Sequence, residues 1–381
     1  VRGQAGGLAG PTGPAVPAAA LETADAAEVL SGCLHAWAAD FLRSLRMHEE
    51  SAGSAQTAPA AAEAVRQLRA ASRRIGSALL TYRPLVDAAW ADELSGELRR
   101  LSGTLAREYR CGARQARLLA ALHRLAVEGV GGDRAAALLE RQHTLARSRA
   151  HSAALETLVS SRFHAVADAV AVLAYEVPFA ADAPRGRAGA VLVPLAERAR
   201  ERLVGAVEAL PRTGRIPAAP TAPEGRGGHD AQSRQDAAWF EVRILLRHHR
   251  YAQEVLYAAG APPAGAGPDV VRTDAGRGAG SGAGPGGEGG GEGGVGTREA
   301  DGPAQRLAAA STALDRHRDA VEAAEAAATA ARTPRIAPAT AYALGVLHAG
   351  QRQEAEAARQ EFRKLWQQVE SGKRETAGQA L

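Results

Sequence analysis

Arginine carries almost all of the positive charge in this chain, because lysine stands only at Lys364 and Lys373. Two runs space it at helical intervals. The first reads Arg66-Gln67-Leu68-Arg69-Ala70-Ala71-Ser72-Arg73-Arg74, and the second Phe240-Glu241-Val242-Arg243-Ile244-Leu245-Leu246-Arg247-His248 with Arg250 just beyond. At about 100° per residue, Arg66, Arg69 and Arg73 share an arc beside the apolar stripe Val65, Leu68, Ser72, Ile75 and Leu79. Arg243, Arg247 and Arg250 fall within about 60° of one another, next to Phe240, Val242, Leu246, His249 and Leu256. Arginines one turn apart repel each other unless an anion compensates. Neither run carries a matching series of acids, and Glu241 is the acid inside the second. A guanidinium is a planar fork that grips two phosphate oxygens at once. The chemistry indicated is capture of a linear polyanion laid across both helices. The plainer alternative is that both runs are solvated faces of amphipathic helices, and a GC-rich coding sequence would by itself enrich Arg, Ala and Gly.

A third run, Arg107, Arg110, Arg114 and Arg117, lies opposite the apolar positions Leu98, Leu101, Leu105 and Leu119 and therefore reads as a solvent face. Arg110 and Arg114 remain candidate ligands within it. Cys111 stands among these arginines, which favour a thiolate, but no histidine nearby in sequence offers a base. The histidines do not suggest a metal: His248 and His249 are adjacent and point to different sides of a helix, and His143, His151 and His164 lack partners at ligand spacing. The Gly-rich stretch has no Gly-Lys-Ser/Thr ending, so no P-loop is present, and no Ser-His-Asp context is recognisable. The expectation is a binding protein without catalytic residues, metal or cofactor.

The elements that must position these side chains are helices. The 381 residues carry a net charge of only +4, much of their apolar content is alanine, and 4% are aromatic. Such a composition favours an all-α fold. Cys33 and Cys111 form neither a disulfide framework nor a metal-ligand set, which fits a reducing cytoplasm. Residues 1–20 read as a disordered leader without the compact apolar stretch of a secretion signal. The most apolar window, 165–181, is interrupted by Asp168, Glu176 and Pro178, so no membrane span is expected. Helices are predicted over 21–51, 61–82, 88–106, 107–128, 133–147 and 151–175 in a first half spanning 21–178. A loop at 179–190 leads to a second half, 191–371, with helices over 191–210, 236–259, 304–331 and 338–371. Loops are expected at 211–232 and in a Gly-rich insertion, 260–302, that cannot bury a core. Residues 372–381 read as a frayed tail. Each arginine run sits near the start of its half, so the chain reads as a diverged tandem repeat of helical bundles.

These segments resemble the CHAD family, whose name refers to conserved histidines on an α-helical domain. The resemblance runs from about Ala27 to Val369, with the Gly-rich stretch as an insertion. It rests on the segment from Val65 through Arg69, Arg73 and Arg74 to Tyr82-Arg83-Pro84-Leu85, and on Arg243, Arg247, Arg250, Tyr251 and Ala252. His317 and Asp319 resemble the family's late His-Gln-Asp segment, and Tyr342, Gly345, Leu347 and His348 its last helix. Departures are specific. The family's first histidine is Arg66 here and its second is Phe240, Cys111 follows Arg110 where an aspartate is usual, and Ile244 replaces a lysine. The resemblance implies a polyphosphate-binding helical domain. Its expected ligands are Arg66, Arg69, Arg73, Arg74, Arg83, Arg110, Arg114, Arg243, Arg247, Arg250 and His317, in a groove between the halves. No attached triphosphate-tunnel domain is visible, so no hydrolytic centre is implied. Inorganic polyphosphate is the expected partner, and association with polyphosphate granules in the cytoplasm follows from it. A degenerate scaffold that engages a protein is the alternative. Nucleic acid is a weaker third, because Tyr82, Tyr109 and Tyr251 lie at the margins of the arginine helices where base stacking would need them.

Overall fold

The computed structural model describes residues 18–51, 56–127, 132–211, 226–259 and 303–379. They form α1 (Ala18–Thr23), α2 (Ala26–Ser51), α3 (Ala58–Thr81), α4 (Ala88–Val127), α5 (Asp133–Leu158), α6 (Ser161–Leu173), α7 (Ala188–Glu208), α8 (Arg226–Ala258), α9 (Pro303–Ala331) and α10 (Pro338–Gln379), with a short 3₁₀ turn at Arg83–Leu85. Among the described residues there is no strand; two isolated bridges, Asp25 with Arg187 and Val86 with Phe179, tie loops together. The fold is all-α, as the composition implied.

Local chemistry sets several helix ends. Asp25 Oδ1 accepts from the Ala27 and Glu28 amides at 2.8 and 3.2 Å and starts α2. Ser160 Oγ accepts from the Phe163 amide at 3.2 Å and starts α6. That cap places the break at 159–160, whereas the sequence predicted one between 147 and 151; α5 runs through the latter without interruption. Likewise α4 is one helix of 40 residues across the division expected at 106/107. Nothing there breaks a helix, because Ala106-Arg107-Glu108 are helix formers. Helix α8 begins at Arg226, inside the loop expected at 211–232, and α10 continues to Gln379 through most of the expected frayed tail. Helix α1 takes in residues 18–20 of the expected leader. The remainder of the leader and the Gly-rich stretch 260–302 lie outside the described residues.

The apolar core crosses the boundary between the halves. One cluster joins α2, α3 and α6 to Leu192 and Ala196 of α7 and to Ala252, Val255 and Leu256 of α8. A second is formed by the rest of α7 with α8, α9 and α10 around Trp239, Leu246, Leu314 and Phe362. In a third, Leu118, Leu122 and Leu139 of α4 and α5 pack on Ala327, Leu344 and Leu347 of α9 and α10. Helix α9 buries Ala310, Ala313, His317, Ala320, Ala324 and Ala327 along one seam, where small side chains let α10 approach closely. Helix α3 crosses α8 and so brings the two arginine helices together. Their crossing is pinned by the Tyr82 hydroxyl, which donates to the Ala252 carbonyl at 3.0 Å, and by Arg74 with Glu254 at 3.0 Å.

Candidate anion-binding cleft

The crossing of α3 and α8 leaves a cleft of about 570 Å3, closed laterally by α4 and α9. Seven arginines line it: Arg69 and Arg73 from α3, Arg99 and Arg110 from α4, Arg243 and Arg247 from α8, and Arg318 from α9. His248 joins them, while no aspartate or glutamate is among the lining residues. The arginines of α3 and α8 come from positions beside their helices' apolar stripes. Leu68, Ser72, Ile75 and Leu79 are buried, which turns Arg69 and Arg73 to the edge of the α3 interface; buried Val242, Leu246 and His249 do the same for Arg243 and Arg247.

Acids stand at one rim. Arg243 Nε donates to Asp315 Oδ1 at 2.6 Å. Arg318 is held by Asp319 at 2.5 Å and lies 3.6 Å from Asp315. Arg110 and Arg114 converge on Glu322, at 3.4 and 2.5 Å. Arg69, Arg73, Arg99 and Arg247 have no hydrogen bond or ion pair within the described residues, and Arg69 Nε is buried without an acceptor. Burial and crowding of like charge lower the proton affinities of Arg69 and Arg247. Burial, and then the charges of Arg73, Arg110 and Arg318, pull Arg69 down to about 10. Burial together with Arg243 and Arg73 brings Arg247 to about 10. Arg243 is also lowered, by burial first, with Asp315 opposing. All remain cations at neutral pH; the depressions come first from burial and then from the neighbouring guanidiniums. A polyanion would relieve the crowding of like charge.

The remaining candidate ligands lie elsewhere. Arg66 is exposed and paired with Glu63 one turn back. Arg74 is taken up by Glu254 and lies over the Tyr251 ring, 5.9 Å from its centre. Arg83 makes a fork to Asp92 with bonds of 2.8 and 2.7 Å on the outer surface. Arg114 stands just outside the cleft beside Glu322, and Arg250 is not among the cleft's lining residues. His317 does not reach the cleft either: it is 0% exposed, in the seam of α9, between the rings of Trp239 and Phe240 at 5.6 and 5.8 Å. The run through Arg114 and Arg117 is not a solvent face. Arg117 reaches Gln351 at 2.6 Å and also Glu354, so this side of α4 docks on α9 and α10. Three cleft residues escaped sequence reading. Arg99 belongs to a bare Arg-Arg pair, Arg318 stands alone between His317 and Asp319, and His248 read only as half of a histidine doublet.

Comparison with known proteins agrees with this architecture. The family model for the CHAD domain matches residues 26–267, which include α2 to α8. Among solved structures, PptA from Streptomyces chartreusis is similar at 45% identity, with a TM-score of 0.68, covering 90% of this chain and 100% of that one. No curated protein matches the chain.

Proposed function

The chain belongs to the CHAD domain family, and from that premise we propose that it binds inorganic polyphosphate, without turning it over, along the arginine cleft between α3, α4, α8 and α9. The observation that carries this reading is the set of seven converging guanidiniums with no carboxylate among the lining residues. Four of them have no partner among the described residues, and a linear polyphosphate supplies a charge at each successive phosphate to meet them. The cleft lacks Phe, Tyr and Trp. That favours a polyanion without bases, because single-stranded nucleic acids are usually gripped by stacking on aromatic rings. No helix among the described residues is long and apolar enough to cross a membrane. Association with polyphosphate granules would follow from such binding.

Titration with long-chain polyphosphate tests the proposal. Binding is expected to saturate and to weaken steeply with salt, though less than the ~10³–10⁵-fold loss between about 50 and 200 mM seen for proteins making six to ten phosphate contacts on duplex DNA. RNA of equal charge should compete poorly, and the polyphosphate recovered afterwards should keep its length. Salt-insensitive binding, equal displacement by RNA, or released phosphate would each overturn the reading.

A further inference from the structure

A second cavity opens on the other side of Arg69. It holds about 660 Å3, within the range of about 300–1,000 Å3 that suits small molecules. Its walls are apolar: Ala62 and Val65 from α3, Leu105 and Ala116 from α4, Leu155 and Leu158 from α5. Leu155 and the neighbouring Tyr109 are exposed large apolar side chains on its surface. Polar groups cluster at its edge, three arginines and two histidines against a single acid, Glu108. Most of them are already engaged. Arg66 is paired with Glu63, and Glu108 lies 2.9 Å from His151 and 3.8 Å from Arg147. Two buried nitrogens of the lining are left without a partner, Arg69 Nε and His48 Nδ1. A buried donor without an acceptor is costly, and an anionic oxygen is the acceptor a guanidinium favours.

We propose that this cavity is a site for an amphiphilic carboxylate, whose apolar chain lies against the alanine and leucine walls and whose carboxylate is held by Arg69. Phosphate alone would leave the apolar walls wet, and a neutral hydrocarbon would leave Arg69 unanswered. Arg69 also lines the arginine cleft, so a bound carboxylate competes with polyphosphate for one guanidinium. That antagonism rests on the polyphosphate reading; the carboxylate site itself does not.

Calorimetric titration of the full chain with dodecanoate, below its micellar concentration, and with dodecanol as the uncharged probe tests the site. Dodecanoate is expected to bind with one-to-one stoichiometry, about 10–100-fold tighter than dodecanol, the ratio that one charge-assisted hydrogen bond provides. Arg69→Met should bring dodecanoate down to the affinity of dodecanol. Ala62→Trp fills the cavity from an exposed position that does not line the arginine cleft. It should abolish dodecanoate binding while polyphosphate binding stays at the wild-type level. If Ala62→Trp melts early, Ala116→Trp, also exposed on the wall, is titrated in its place. Equal affinity for dodecanol and dodecanoate, or unchanged dodecanoate binding in a folded cavity-filled variant, would overturn the proposal. Failure of wild-type polyphosphate binding would instead count against the cleft reading alone.

Discussion

His248 shows how strongly single residues feel the cleft. Burial first, and then the charges of Arg247, Arg202 and Arg99, depress its pKa to about 4 from an ordinary value near 6.5. Between those two values the unfolded chain binds a proton that the folded chain refuses, so stability falls as pH drops through that window. His143 and His317, also lowered by burial, act in the same direction. A phosphate in the cleft would reverse the local field and raise the His248 pKa, so binding would take up a proton. Polyphosphate affinity is therefore expected to rise as pH falls below neutrality, and His248→Gln should flatten the rise. Titrations across that range in both proteins check this; a flat wild-type profile would contradict it. At the residue scale, helical spacing alone does not say which side chain enters the cleft. Arg66 and Arg69 sit three residues apart on the same arc, yet Glu63 engages the first and the second turns into the cleft. His317 reads as a surface ligand only if the alanine seam of α9 goes unnoticed. Its spacing with Ala310, Ala313, Ala320 and Ala324 is the legible signal that it is core.

At the level of elements, the arginine helices were legible because each pairs a regular apolar stripe with a regular basic edge. The positions read as the stripe of α3 are largely the positions buried in it. What α4 does was not legible, because the face opposite its own leucines is solvent only if no other element arrives. Glu322 and Glu354 arrive from more than 200 residues away. A comparable long-range device stabilises the second half. Asp236 is 4% exposed and is held by Arg352 at 2.8 Å and by Arg359, with His317 at 3.5 Å. Burial alone would raise its pKa, but contacts with His317, Arg352 and Arg359 outweigh it and leave the carboxyl below its usual value. Asp236→Ala would remove the carboxylate shared by two partly or wholly buried guanidiniums, leaving Arg359 with Glu356 at 3.2 Å, and is expected to cost about 3–5 kcal/mol. Asp92→Ala, which removes the exposed partner of Arg83, should leave stability nearly unchanged. Urea midpoints compare the two; similar losses would contradict this account of the network.

For the whole molecule, a net charge of +4 does not announce a polyanion binder. The charge matters because the fold sorts it. Acids are drawn to one rim and to the outer surface, and four arginines without a partner among the described residues line the same cleft. Sorting of this kind depends on how α3, α8, α4 and α9 meet, which composition cannot express. It also separates arginines that are equivalent in sequence. Arg73 and Arg247 face the cleft, while Arg66 is paired outside it. The most direct test of the central claim is therefore a charge-reversal titration with long-chain polyphosphate at fixed salt. Arg73→Glu and Arg247→Glu are each expected to weaken binding by about tenfold or more, as for loss of a charge-assisted contact, while Arg66→Glu leaves it within about twofold. Equal losses in all three variants, or no loss in Arg73→Glu and Arg247→Glu, would contradict a polyphosphate site in the arginine cleft.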